Sequence, residues 1–212
     1  ARGNRSLPIV SVPAEQAKEQ PAYLLTVRLH NQRSLRLAEQ RQAIEDALAM
    51  AREVCALYPG LAVTVQERGL ALLISKAQTN GLTAVYASLL LQHLLREYET
   101  LGEFRCHLCH VISPKDPAEI TAMAVDAIEE ITNLEQNLTL ASLAKAETAL
   151  MTADVFTDLD AEQREWAQEF THPILEDLAP REAFYSVERL PKREQMLITG
   201  QAQVVLGFNM AT

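Results

Sequence analysis

The chain has 212 residues, of which 48% are hydrophobic and 22% charged, and carries a formal net charge of -9. These totals describe one large globular domain or two small ones, and the acidic balance lacks the basic footprint that nucleic-acid binding requires. No apolar run approaches the roughly 18 residues that cross a bilayer, and three irregularly spaced cysteines, Cys55, Cys106 and Cys109, make a poor disulfide framework and favour a reducing, cytoplasmic setting.

Residues 1–21 contain Pro8, Pro13 and Pro21 without a periodic apolar face and read as an N-terminal linker, leaving 22–212 as one domain. Tyr23–His30 alternates Leu25, Val27 and Leu29 with Thr26, Arg28 and His30, the period of a strand. Ser34 is the expected N-cap of a helix over Leu35–Leu57, which Tyr58-Pro59-Gly60 stops. Leu61–Ser75 then reads as a hairpin: Val63 and Val65 alternate with polar neighbours, Leu70–Ile74 is apolar, and Gly69 is expected to supply a positive φ at the turn. Asn80-Gly81 opens a helix over Leu82–Glu99, and Phe104–Ile112 is the next strand.

Beyond it the spacing predicts helices over Ala118–Ile131 and Leu134–Leu143, and a short strand at Ala149–Thr152. A small helix is expected to open at Val155 and Phe156, and a helix capped by Asp160 to carry Trp166 and Phe170. Phe184–Leu190 and Met196–Val205 read as a closing hairpin. The fold class is α+β: a ferredoxin-like βαββαβ core, short C-terminal helices and a final β-hairpin.

Cys106-His107-Leu108-Cys109-His110 has the composition of a zinc site. On a strand, however, Cys106 and His110 point to one face and His107 and Cys109 to the other, so one tetrahedral ion cannot gather all four. A site that joins Cys106/His110 or His107/Cys109 to another element is the lesser alternative, and no metal and no cofactor is expected. His30 reads as a solvated strand end, and His93 and His172 have no evident partner.

The long helix ending in Tyr58-Pro59-Gly60, the hairpin after it, the strand ending at Ser113-Pro114, and Leu140-Ala141-Ser142-Leu143-Ala144 ahead of Ala149-Leu150-Met151-Thr152 resemble the class III adenylate/guanylate cyclase homology domain over about residues 22–208. In that family two carboxylates, one on the first strand and one at the hairpin tip, hold the divalent ions that activate the attacking hydroxyl. The matching positions here are Arg28 and Arg68, with Glu67 the only acid at the tip. The family's Asn and Arg on a late helix correspond to Glu135 and Thr139, with Asn133 and Asn137 nearby.

The resemblance therefore implies a degenerate, catalytically inactive cyclase-like domain, with no catalytic residue and a residual ligand site of Arg28, His30, Asn31, Glu67 and Arg68. Its expected partners are a second copy of itself or another signalling domain. Two other readings stand beside it: a metal-independent sensor that binds nucleotide or phosphate through the arginines, and an active cyclase with atypical ligands. The chain opens on Ala1 rather than Met. This fits the cytoplasmic portion of a bacterial, inner-membrane signalling protein whose membrane segment lies upstream.

Overall fold

The computed structural model describes residues 20–113 and 134–210. The expected helix over 118–131 and residues 1–19 of the linker lie outside the described residues. Strand β1 spans Gln20–Leu29, so Gln20 and Pro21 belong to the sheet rather than to the linker. Helix α1 (Leu37–Leu57), the hairpin β2 (Leu61–Gln66) and β3 (Gly69–Ser75), α2 (Gly81–Glu97) and β4 (Phe104–Ser113) complete the βαββαβ order. Then come α3 (Leu134–Ala141), β5 (Ala149–Thr152), α4 (Ala153–Asp158), α5 (Ala161–Arg164), β6 (Ala167–Phe170), α6 (Pro173–Leu178), β7 (Phe184–Val187) and α7 (Lys192–Met210). The seven strands among the described residues form one sheet in the order β2-β3-β1-β4-β5-β7-β6.

Strand β1 sits between β3 and β4 and runs antiparallel to both. Its alternation is complete: Tyr23, Leu25, Val27 and Leu29 enter the core beneath α1 and α2, while Ala22 and Leu24 pack on the opposite face with Ala71, Leu73 and Cys109. The first face is the larger core. Met50 and Val54 of α1 and Leu90, Leu91 and Leu94 of α2 close on it, and burying each such side chain contributes about 1.5–3 kcal/mol.

Asn80 caps α2, its side chain accepting from the Thr83 N–H at 3.0 Å. The expected Ser34 cap on α1 is not formed. Residues Gln32–Ser34 make a 3-10 turn, and α1 begins at Leu37 behind Arg36, whose backbone N–H donates to Glu39 Oε2 at 2.7 Å.

Two expected elements take the other secondary structure. Met196–Val205 lies within α7 and is helical, so there is no closing hairpin; β7 pairs instead with β5 and β6. The β-branched residues of that stretch suggested a strand, but Ile198, Ala202 and Val205 fall at helical spacing and are buried together in the main core. Conversely, Asp160 does cap a helix, accepting from the Gln163 N–H at 2.8 Å, but α5 ends at Arg164. Phe170 belongs to β6, where it pairs with Phe184. The four-residue spacing of Trp166 and Phe170 is therefore not one helix face: Trp166 packs against the main core and Phe170 against the smaller cluster on the other side.

Gly69 also differs from expectation. Among the described glycines only Gly60 has a positive φ, of 73°. Gly69 pairs with Arg28, and its missing side chain makes room for the Val27 carbonyl.

Candidate functional site

The sheet brings Arg28 and Arg68 together. Arg28 lies one residue from the end of β1 and pairs with Gly69, the first residue after the hairpin turn. The turn is fastened to the strand by the Leu29 N–H, which donates to the Arg68 carbonyl at 2.9 Å. Partial burial lowers the Arg28 guanidinium from its ordinary pKa, and the positive charge of Arg68 lowers it further, while Glu135 at the start of α3 acts in the opposite sense. Neither arginine forms an ion pair among the described residues, and Glu67 in the turn is exposed.

The other two sequence-selected residues serve the fold. Asn31 clips the α2–β4 connection to the end of β1: its Nδ2 donates to the Leu101 carbonyl at 3.1 Å and its Oδ1 accepts from the Glu103 N–H at 2.9 Å. His30 is exposed, with its N–H donating to the Glu103 carbonyl at 2.7 Å. On α3, the Thr139 hydroxyl donates to the Glu135 carbonyl at 3.0 Å, and the Asn137 carbonyl accepts from Thr26 Oγ1 at 3.1 Å. Asn133 lies outside the described residues. His172, unpartnered in the sequence reading, caps α6 by accepting from the Ile174 N–H at 3.1 Å. His93 lies beside Arg96, and its pKa is lowered by burial and then by that guanidinium.

The Cys-His stretch on β4 divides between the faces as strand geometry requires. Cys106 enters the main core and Cys109 the opposite cluster, and burial pushes both thiols up to about 12. Such thiols stay protonated and are poor nucleophiles or metal ligands. His107 is fully buried with its ring centroid 6.0 Å from that of Phe184, and neither ring nitrogen has a hydrogen-bond partner among the described residues. Burial alone lowers its pKa to about 3, so the imidazole is neutral.

A polar network at the other end of β1 was not visible in the sequence. Asp158 Oδ2, at the end of α4, accepts from the Tyr23 hydroxyl at 2.8 Å, from His110 Nε2 at 2.8 Å and from Lys76 Nζ at 3.0 Å. Partial burial works to raise the Asp158 carboxyl, but the three donors outweigh it and hold the group below its usual range. Burial and the Asp158 carboxylate together raise the Tyr23 phenol. Asp158→Ala strands the hydroxyl of Tyr23, which is 1% exposed, and removes the counter-charge of Lys76. The expected loss is about 1–3 kcal/mol, with Tyr23→Phe costing less; urea unfolding midpoints of the two variants check this.

No family model matches the sequence, and no curated protein matches it. Solved structures do match. The guanylyl cyclase Cya2 superposes with a TM-score of 0.56 at 12% identity, over 84% of this chain and 96% of that one. The monomeric guanylyl cyclase domain of the RhoGC fusion protein from the aquatic fungus Blastocladiella emersonii gives 0.54 at 8% identity, over 80% and 96%. The adenylyl cyclase CyaB from P. aeruginosa gives 0.51 at 10% identity, over 82% and 96%. The chain has the mixed α+β fold of the class III nucleotide cyclase catalytic domain.

Proposed function

We propose that this chain, folded as a nucleotide cyclase catalytic domain, is catalytically silent and serves as a regulatory and dimerisation module of a signalling protein. One observation carries the reading: Arg28 and Arg68 lie where β1 meets the β2–β3 turn, near enough for the charge of Arg68 to lower the pKa of Arg28, at the positions the resemblance assigns to a cyclase's metal-binding carboxylates. A divalent ion that activates a ribose hydroxyl takes hard oxygen ligands. An arginine offers only donors and stays charged, so two of them repel the ion they would have to hold.

The nearby acids do not restore the site. Glu135 supports the charge on Arg28, and Glu67 is a single exposed carboxylate. What the pair can receive is an anion, a phosphate or a carboxylate, held by charge-assisted hydrogen bonds without metal. Such a group would come from a nucleotide or from an acidic side chain of another domain, and either suits a module that relays a signal through binding rather than turnover.

Incubating the purified chain with ATP or GTP and Mn²⁺ tests the proposal. The expected result is no cyclic nucleotide above the enzyme-free control. Turnover that disappears on Glu67→Gln would sink it.

A further inference from the structure

Helix α7 presents an outer face unlike the rest of the surface. From Gln195 to Thr212 the sequence holds no charged residue, in a chain where 22% of residues are charged. Ile198, Ala202 and Val205 are buried and hold the helix to the body. Away from them, Leu197 and Val204 are 48% and 54% exposed. Gly200 and Gly207 alternate with these two, so that the four residues follow one another at spacings of three, four and three. That is the seam of a helix that packs lengthwise on another helix.

The glycines sharpen the point. A Cβ built on either meets nothing within 4 Å, and neither has a positive φ. Nothing among the described residues requires them, yet each weakens the helix by roughly 1 kcal/mol relative to alanine. They form two hollows, and the side chains beside them are two uncovered knobs.

We infer that α7 pairs antiparallel with α7 of a second copy of this chain. The seam is complementary to itself in that direction only. With the two-fold axis at the level of Ala202, Leu197 faces Gly207 of the second copy and Val204 faces its Gly200, so every knob meets a hollow. A parallel pair would set leucine on leucine and glycine on glycine. An isologous contact requires this kind of self-matching patch, and the uncharged face leaves no like charges to bring together. The contact spans about three helical turns, so it is small and concentration-dependent. It lies on the side of the sheet covered by α1 and α2, whereas Arg28 is on the side of Leu24 and Thr26, where α3 packs. Association through α7 and silence at the arginine site therefore stand or fall separately.

Sedimentation velocity of the whole chain over a concentration series tests the pairing, with mild oxidation of cysteine variants to fix its direction. A monomer–dimer equilibrium is expected. Gly200→Arg should weaken it at least about tenfold without lowering the urea midpoint, since the new side chain meets open space. A chain carrying both Leu197→Cys and Gly207→Cys should cross-link into dimers, and one carrying Leu197→Cys alone should not. A monomer at every concentration, a dimer indifferent to Gly200→Arg, or efficient cross-linking by Leu197→Cys alone would overturn the inference.

Discussion

Lowering the pH below about 6.5 is expected to destabilise this domain through His107, and His107→Leu is expected to remove that part of the loss. The folded-state pKa of His107 is depressed to about 3 by burial, whereas in the unfolded chain an imidazole titrates near 6.5. Between those values the unfolded state binds the extra proton, so stability rises with pH across the window and falls as pH drops through it. The slope is about 1.4 kcal/mol per pH unit for one such group. Above the window His107 contributes no pH dependence.

The surroundings offer the ring no relief. Across the sheet His107 is flanked by Thr26 on β1 and Leu150 on β5, with the Phe184 ring beside it, and its two nitrogens lack partners among the described residues. Leucine leaves no hydrogen bond behind, so the variant at neutral pH should be as stable as the parent or more stable by about 1 kcal/mol or more. Asp158, whose carboxyl is held low by its donors, also loses its contribution in acid, but in the carboxylate range. The difference between parent and His107→Leu in urea midpoints from pH 7 down to pH 4 isolates the histidine. Parallel stability curves for the two would refute the assignment.

Gly69→Ala should be the most damaging small substitution in the sheet. A Cβ there would overlap the Val27 carbonyl oxygen and stand 2.9 Å from the carbon that bears it. The clash is with backbone, not with the movable end of a side chain, and β1 cannot shift because β4 pairs along its other edge. A loss of about 3 kcal/mol or more is expected, read as a lowered urea midpoint. Gly60→Ala is the informative control. Gly60 has a φ of 73°, and a Cβ there would stand 3.1 Å from the Cβ atoms of Ser75 and Gln78 but clear of backbone, so that substitution carries conformational strain of about 1 kcal/mol and a milder side-chain contact. If the two variants unfold at the same midpoint, overlap with the Val27 backbone is not what demands glycine at position 69.

What could be read in the chain follows from how far each signal reaches. Strand β1, the β2–β3 hairpin and α2 announce themselves through alternation, a turn and an Asn-Gly cap, all local features. The adjacency of Arg28 and Arg68 was legible for the same reason: a hairpin beside a strand brings its turn to the strand's end. The side of the sheet taken by each residue of Cys106–His110 also followed from pleating, but its depth did not, because burial of His107 depends on Phe184 and Leu150. Asp158 and Tyr23 are 135 positions apart, and no spacing rule connects them.

The α7 and β6 assignments failed where local preference and packing disagree. Ile198, Thr199, Val204 and Val205 favour extended backbone, yet Ile198, Ala202 and Val205 bury together only as a helix. Around Trp166 the four-residue spacing favoured a helix, yet pairing with the edge of β7 was the contact on offer. His30 and Asn31 were selected as the polar end of the first strand, just past Arg28; the Asn31 amide instead holds the α2–β4 connection.

The interior position of β1, between β3 and β4, also sets an order of events during synthesis. Its pairing partners run to Ser75 on one side and Ser113 on the other. A nascent chain therefore carries the apolar run Tyr23–Val27 with both edges open until β3 has emerged, and with one edge open until β4 has followed. Meanwhile the β2–β3 hairpin, closed by a two-residue turn, can form by itself. The earliest strand of the described sheet is thus dependent on residues made much later, and such long-range closure is slow and exposes a sticky edge while it waits. In the cell, the period of greatest hazard for this domain falls between the ribosome's passage through β1 and its passage through β4.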